Sequence, residues 1–257
     1  MINSLIPERA PGAQQVAFFS TGAGYNQNVN IEDNWTIYCV RGPLSACLLG
    51  LPKETAVTDG AVLVRRLFKS EGVKQYKYSF MSHFSQSITG AKTWTETCEM
   101  AGIHYIDPRQ PVEEVLKQID RTEILLTEAL HGAIVADALR VPWICVHTAI
   151  ERILPFKWID WCESVGLSYR PYGLHQMRDL SPQYGIRGIR GIRGSRAAVL
   201  ASLTHWLKKR EVVEQFKDIK KRVEPNLSDE TLLENLTVEL ETRLEQFKAD
   251  VAAGKFA

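Results

Sequence analysis

The chain of 257 residues is 45% hydrophobic and 24% charged, and its 31 Lys and Arg almost balance 30 Asp and Glu, leaving a formal charge of +1. Disordered and fibrous classes are excluded by that composition, and so is any hold on nucleic acid through overall charge. Five cysteines, at 39, 47, 98, 145 and 162, are odd in number and show no C-x-x-C spacing, so no disulfide framework or zinc site is expected and a reducing cytosol fits best. The opening MINSLIPERAPG has an acid, two prolines and no long apolar stretch, and no apolar run reaches bilayer length. A soluble or peripheral protein is expected rather than a secreted or membrane-spanning one.

Through the first 150 residues, short β-branched or aromatic runs alternate with turns and helix-like stretches, the pattern of an α/β chain with parallel strands. Strands are predicted at 15–20, 36–40, 56–58, 77–82, 103–106, 124–127 and 143–146, and helical spacing at 94–101, 112–119 and 133–139. The charged stretch 65–74 is expected to mark the boundary between an earlier and a later α/β half. Beyond Pro155 come an aromatic-rich helix at 156–165 and a Pro/Gly/Tyr loop, then the tandem IRGIRGIRG of 186–194, read as a mobile basic loop. The tail reads as two helices. One carries Val199, Leu203, Trp206, Leu207, Val213 and Phe216 on a single face. After Pro225-Asn226, a second is N-capped by Ser228 and striped by Leu232, Leu236, Leu240, Leu244, Phe247 and Val251. Packing across the chain's own domains is favoured for the second helix over a coiled-coil dimer. The resulting division is a partial first lobe at 1–68, a second lobe at 69–172, a flexible basic loop at 173–197 and C-terminal helices at 198–257.

In a doubly wound sheet, ligands lie beyond the carboxyl ends of the strands. Here those ends read Gly22-Ala23-Gly24, Arg41-Gly42, Asp59-Gly60, His83, Asp107-Pro108, Glu128 to Gly132, and His147. Turn propensity explains the glycines better than the Arg and His residues. In ILLTEALHGAIVADAL a buried strand delivers Glu128 and His131, with Gly132 expected to turn the backbone tightly into a helix. An imidazole at a helix N-terminus can pair with an anion or donate a proton near neutral pH. A capping or core histidine is an equal reading of this fragment alone. In YCVRGPLSA, Pro43 suits the first helical position and Arg41 projects beside the helix start, its fork matched to carboxylate or phosphate. A surface ion pair is the plainer reading of Arg41 by itself; two such units together favour an anionic ligand.

The runs VRGPLSACLLGLP, TDGAVLV, EALHGAIVADALRVP and FKWIDWC in combination resemble the polysaccharide pyruvyl transferase family, in particular its bacterial exopolysaccharide branch. The resemblance covers roughly residues 17–172. It implies two Rossmann-like lobes of GT-B type and transfer of the pyruvyl (enolpyruvyl) group of phosphoenolpyruvate to sugar hydroxyls of a polysaccharide precursor, often as a cyclic ketal. The family's early strand, Gly-Asp segment and helix have no counterpart in this sequence, so either an abbreviated first lobe or a late start at Met1 is expected.

By the same resemblance Arg41 and His131 grip the donor, His131 as the acid that protonates the methylene carbon or as a phosphate clamp. Glu128 is the carboxylate expected to take protons, and His83 and Gly132 are expected to help bind the donor. Asp59 stands where many members have Asp-Pro, though Gly60 follows it here and a turn cap is the alternative. Gly22 and Gly24 are further candidates. Ala129 occupies the family's Arg position, so that cationic contact is expected either to be missing or to be supplied from elsewhere, with Arg109 and Arg140 as the candidates. No metal and no cofactor beyond the substrate are expected. The expected partners are phosphoenolpyruvate and a lipid-linked or free saccharide, in the cytoplasm, with peripheral inner-membrane contact through 186–194 as one reading of that loop and a solvated loop as the other. Alternatives are a nucleotide-sugar glycosyltransferase of GT-B type and a truncated, non-catalytic glycan-binding relative. Trp94 is read as core rather than a sugar platform, and His104, His175 and His205 as structural or exposed.

Overall fold

A computed structural model describes residues 14–23, 31–148, 155–179 and 195–256, with backbone alone for 195–199 and 201. Gly24 and the 186–194 tract lie outside the described residues. Strand β1 (Val16–Thr21) pairs in parallel with β2 (Trp35–Val40), and α1 (Pro43–Leu48) follows at once, Pro43 filling the first helical position. Two 3₁₀ turns, at Lys53–Thr55 and Gly60–Leu63, lead into the short α2 (Val64–Leu67). Then come β3 (Tyr76–Met81), α3 (Phe84–Ala101), β4 (His104–Ile106), α4 (Val112–Asp120), β5 (Thr122–Thr127), α5 (Leu130–Ala138), β6 (Trp143–His147), α6 (Phe156–Ser164), β7 (Tyr172–Gly173), α7 (Ser195–Arg222) and α8 (Glu230–Ala252).

The later strands form one parallel sheet in the order β4-β3-β5-β6-β7. The chain therefore steps outward from β3 to β4, then returns to the other side of β3 to lay down β5, β6 and β7. The gap between the carboxyl ends of β3 and β5 is the topological switch point, where such sheets hold ligands.

Alternation along the strands sorts their side chains onto two faces. Met81, Leu125, Trp143 and Cys145 join Ile134, Trp158, Trp161, Leu233 and Leu240 on one face. Their neighbours Phe80, Leu126, Ile144 and Val146 join Trp94, Cys98, Val212 and Phe216 on the other. A smaller cluster of Phe18, Ala23, Val40, Ala46 and Leu49 packs the β1-β2 pair. Helix α8 ties the two sheets: Leu233 and Leu240 enter the large core, and Tyr38 of β2 meets Phe247 edge-on and donates to Asp250 at 2.6 Å. Arg65 and Arg66 pair with Glu230, Glu234 and Glu241 along it.

Several sequence expectations are corrected. The 56–58 strand is a single parallel bridge between Val40 and Ala56, because the 3₁₀ turn before it and the Asp59 cap after it leave no room for a ladder. Helix α3 starts ten residues before 94, capped by His83; its β-branched residues masked the periodicity, and Gly90 lets Met177 approach, since a Cβ at Gly90 would lie 2.7 Å from the Met177 carbonyl. Asp229, not Ser228, caps α8, since the Ser228 hydroxyl is turned inward to Asp137. The buried stripe of α8 includes Leu233, and Val251 is exposed. On α7 the core takes Val212, Val213, Phe216 and Ile219, while Leu203, Trp206 and Leu207 face solvent. No described helix is long and apolar enough to cross a membrane.

Asp137 is the polar joint of the large core. Buried in α5, it accepts from the Trp143 indole at 2.9 Å and the Ser228 amide at 3.0 Å, besides the Ser228 hydroxyl. Asp137→Ala strands those buried donors, and the expected loss in urea-unfolding free energy is about 3 kcal/mol, against about 1 for Ser228→Ala.

Candidate active site

Arg41 lies one residue past β2, its amide bonded to the Thr21 carbonyl at 3.0 Å across the β1-β2 pair. Its side chain is sealed from solvent, and Nε donates to Asp59 Oδ2 at 2.9 Å. Asp59 is equally buried and turns its other oxygen to the Ala61 amide at 3.0 Å, capping the second 3₁₀ turn. The turn cap foreseen as the alternative for Asp59 is thus present, and the ion pair foreseen for Arg41 is present too, buried rather than on the surface. Arg41 Nη1 and Nη2 have no hydrogen-bond partner among the described residues. Orphaned buried donors cost about 1–3 kcal/mol each, so a guanidinium kept with two of them is suited to a partner brought from outside. The absence of a side chain at Gly22 makes room for it: a Cβ there would stand 2.7 Å from Nη1.

The start of α1 differs from expectation. Rather than being open to an anion, it is filled by Asp160 of α6, which accepts from the Ser45 amide at 2.9 Å and the Ser45 hydroxyl at 2.6 Å. Burial pushes the Asp160 carboxyl up, against the Ser45 hydrogen bonds and the charge of Arg41. Ser45 Oγ also accepts from the Ala23 amide at 3.0 Å, so β1, α1 and α6 meet at this hydroxyl. Gly42 permits the contact, since a Cβ there would come within 2.1 Å of the Asp160 carbonyl. Sequence reading missed Asp160 and Ser45; a single carboxylate within the aromatic run FKWIDWC was the one signal that could have found them.

His131 lies in the first turn of α5, and its Nε2 is 3.8 Å from Asp59 Oδ2, too far for a hydrogen bond. Burial holds the imidazole below its ordinary pKa; Asp59 opposes that, while Arg41 and Lys157 reinforce it. The neutral imidazole is therefore favoured over the imidazolium. Arg41 and His131 both approach Asp59 Oδ2, three groups separated in sequence but joined in one polar cluster. Gly132, expected to make a tight turn, is instead inside α5, where a Cβ would meet Thr127 Oγ1 at 2.5 Å. It brings the helix close to β5 and does not face the Arg41 fork.

At the switch point Glu128 is fully engaged. Oε2 accepts from the His83 amide at 3.1 Å, and Oε1 from the Thr148 amide at 2.9 Å and hydroxyl at 2.6 Å. The carboxylate expected to take protons is thus a clasp across the ends of β3, β5 and β6. The His83 ring is exposed and bonds Ser85 at the head of α3. Next to this clasp, His147 Nε2 meets the Tyr169 hydroxyl at 2.8 Å, and burial lowers the imidazole to about 4. Of the two candidates for the family's missing cation, Arg109 grips Asp107 through two nitrogens, and Arg140 bonds Ser228 and Glu230. No cluster of three or more metal-ligating side chains occurs among the described residues.

Asp59→Asn removes the charge that favours the imidazolium, so His131 should titrate at lower pH than in the wild type, read by NMR of the ring protons; an unchanged pKa would contradict the geometry. His147 gives a second pH test. Unfolded, its imidazole takes a proton near pH 6.5; folded, near 4. The unfolded state therefore binds more protons between those values, and stability should fall by about 3 kcal/mol as pH drops through that window, a dependence that His147→Gln removes.

Residues 30–148 match the family described as polysaccharide pyruvyl transferase. The protein named "Succinoglycan biosynthesis protein ExoV" from Rhizobium meliloti (strain 1021) is 39% identical over 164 residues, covering 63% of this chain and 51% of that relative. The chain thus spans about half the length of the curated relative it matches. Arg41, Asp59, His83, Glu128 and His131 all fall within the family match, whereas Gly22 and Asp160 flank it. The stretch that matches the polysaccharide pyruvyl transferase family, residues 30–148, is thus the one that carries the Arg41–Asp59–His131 cluster and the switch-point clasp.

Proposed function

We propose that the protein transfers the pyruvyl group of phosphoenolpyruvate to sugar hydroxyls of a polysaccharide precursor, closing a pyruvate ketal. In this reading the β1-β2 segment and the larger sheet are the two lobes of a GT-B-like enzyme working in the cytoplasm on a lipid-linked or free saccharide. The observation that carries it is the buried Arg41 fork, held by Asp59 through Nε with both terminal nitrogens unpartnered among the described residues, beside His131, whose imidazole burial holds below its ordinary pKa.

Phosphoenolpyruvate has a carboxylate and a phosphate, and a planar guanidinium can bind either one through two parallel hydrogen bonds. A dianion in this place adds negative charge next to His131 and favours the imidazolium, so the donor itself loads the acid with its proton. His131 then protonates the methylene carbon, and the central carbon, now oxocarbenium-like, is attacked by a sugar hydroxyl. Phosphate departs with its bridging oxygen, and a neighbouring hydroxyl closes on the same carbon. The balance is complete: one hydroxyl proton replaces the proton given to the new methyl group, and the other leaves on phosphate.

With purified protein, phosphoenolpyruvate should raise the melting temperature while nucleotide sugars leave it unchanged, since only a ligand of the folded state stabilises it. Stabilisation by a nucleotide sugar instead would favour a glycosyltransferase. Arg41→Ala should weaken phosphoenolpyruvate binding by about tenfold or more. His131→Gln should retain binding and lower phosphate release by about 100-fold or more, the scale of a lost general acid. A full-rate His131→Gln enzyme would remove the proposed acid.

A further inference from the structure

We infer that the outer face of α7 docks on an anionic phospholipid surface. The helix has two unlike sides. Val212, Phe216 and Ile219 enter the core, and on the same side Lys209 reaches Glu96 of α3. On the opposite side Leu200, Leu203, Trp206 and Leu207 are 62%, 50%, 45% and 47% exposed. Four large apolar side chains on two successive turns form a continuous stripe, and the other described residues leave it uncovered. An ordinary surface helix buries its apolar side and exposes its polar one; this segment exposes a second apolar side.

Charge selects the occupant. From Leu200 to Arg210 the sequence has three Lys or Arg and no Asp or Glu, although the whole chain carries only +1. Within α7, Arg210 lies over the Trp206 ring at 5.0 Å, so the stripe is bordered by a cation at its aromatic anchor. Lys208 follows Leu207 directly. A Leu/Trp face edged with Lys and Arg is the composition of helices that rest in the plane of an acidic bilayer, the rings and leucines entering the interface while the cations meet phosphate groups. A second copy of the chain would instead set two positive surfaces against each other. Glu211 and Glu214 limit the stripe: they begin one turn beyond Trp206 and meet His175 and Lys217, respectively. The docking surface is thus confined to the N-terminal half of the helix, and it is independent of the reaction proposed for the Arg41 cluster.

The test is co-flotation of the full chain with vesicles of phosphatidylglycerol and phosphatidylcholine, compared with phosphatidylcholine alone. Binding is expected to the anionic vesicles only, falling at high salt as the head-group charge is screened. The double substitution Leu203→Gln with Trp206→Gln keeps every charge and removes apolar area at exposed positions, so the fold is retained, as checked by circular dichroism. It should reduce vesicle binding by about tenfold or more, as about 25 cal/mol per Å² of lost apolar contact requires. Lys208→Gln should reduce it by about fivefold. No flotation, or flotation that the double variant leaves intact, overturns the inference. So does a dimer in sedimentation that the double variant dissociates, which would give the stripe to a second copy.

Discussion

A guanidinium removed from water costs several kcal/mol unless its surroundings return the lost hydration. Arg41 receives only a fraction of that return from the described residues: Asp59 takes Nε, and the two terminal nitrogens are left over. The surrounding architecture preserves this imbalance. Gly22 clears the space beside Nη1, the Thr21 carbonyl fixes the Arg41 backbone, and Asp160 is drawn away to cap α1 through Ser45. With that carboxylate otherwise engaged, Asp59 is the one acid paired with Arg41 among the described residues. The same Asp59 sets the field at His131, so one carboxylate orients the cation and biases the imidazole.

Local strain gathers at this place too. The β1-β2 register shifts between Phe18 and Thr21, and Ser20 adopts φ 59°, a left-handed conformation unusual for a residue with a side chain. Bulges of this kind re-aim strand ends and are frequent beside active sites. Here the irregular end of β1 contacts both Arg41, through Thr21, and the segment before Asp59, through the Ser20 hydroxyl on the Thr58 carbonyl at 2.5 Å. The larger sheet has its own tie: Glu128 fastens three strand ends at the switch point.

Much of this was legible in the chain, for reasons that can be named. Strand ends announce themselves through Gly, Pro and a charged residue after a β-branched run; Arg41 and His131 stand just past such ends, and Asp59 just past the single bridge at Ala56. The α/β pattern likewise follows from short apolar runs alternating with helical spacing. Pairing across distance was not legible. Asp160 meets Ser45 across 115 positions, and nothing in either neighbourhood points to the other. Gly132 was misread because a glycine that turns a chain and one that lets a helix press on a strand leave the same mark. The apolar periodicity of α7 identified a face without saying whether the core would cover it, and the core took Val212, Phe216 and Ile219 instead of Leu203 and Trp206.

The central claim is that the terminal nitrogens of Arg41 and the Nε2 of His131 embrace one small dianion. A crystal structure of the full chain with phosphoenolpyruvate tests it most directly. The account predicts a carboxylate or phosphate within hydrogen-bond distance of Arg41 Nη1 and Nη2, with the methylene carbon turned to His131 and the Arg41–Asp59 bond unbroken. Phosphoenolpyruvate bound elsewhere, with both terminal nitrogens satisfied by the protein's own carbonyls or carboxylates, would contradict it.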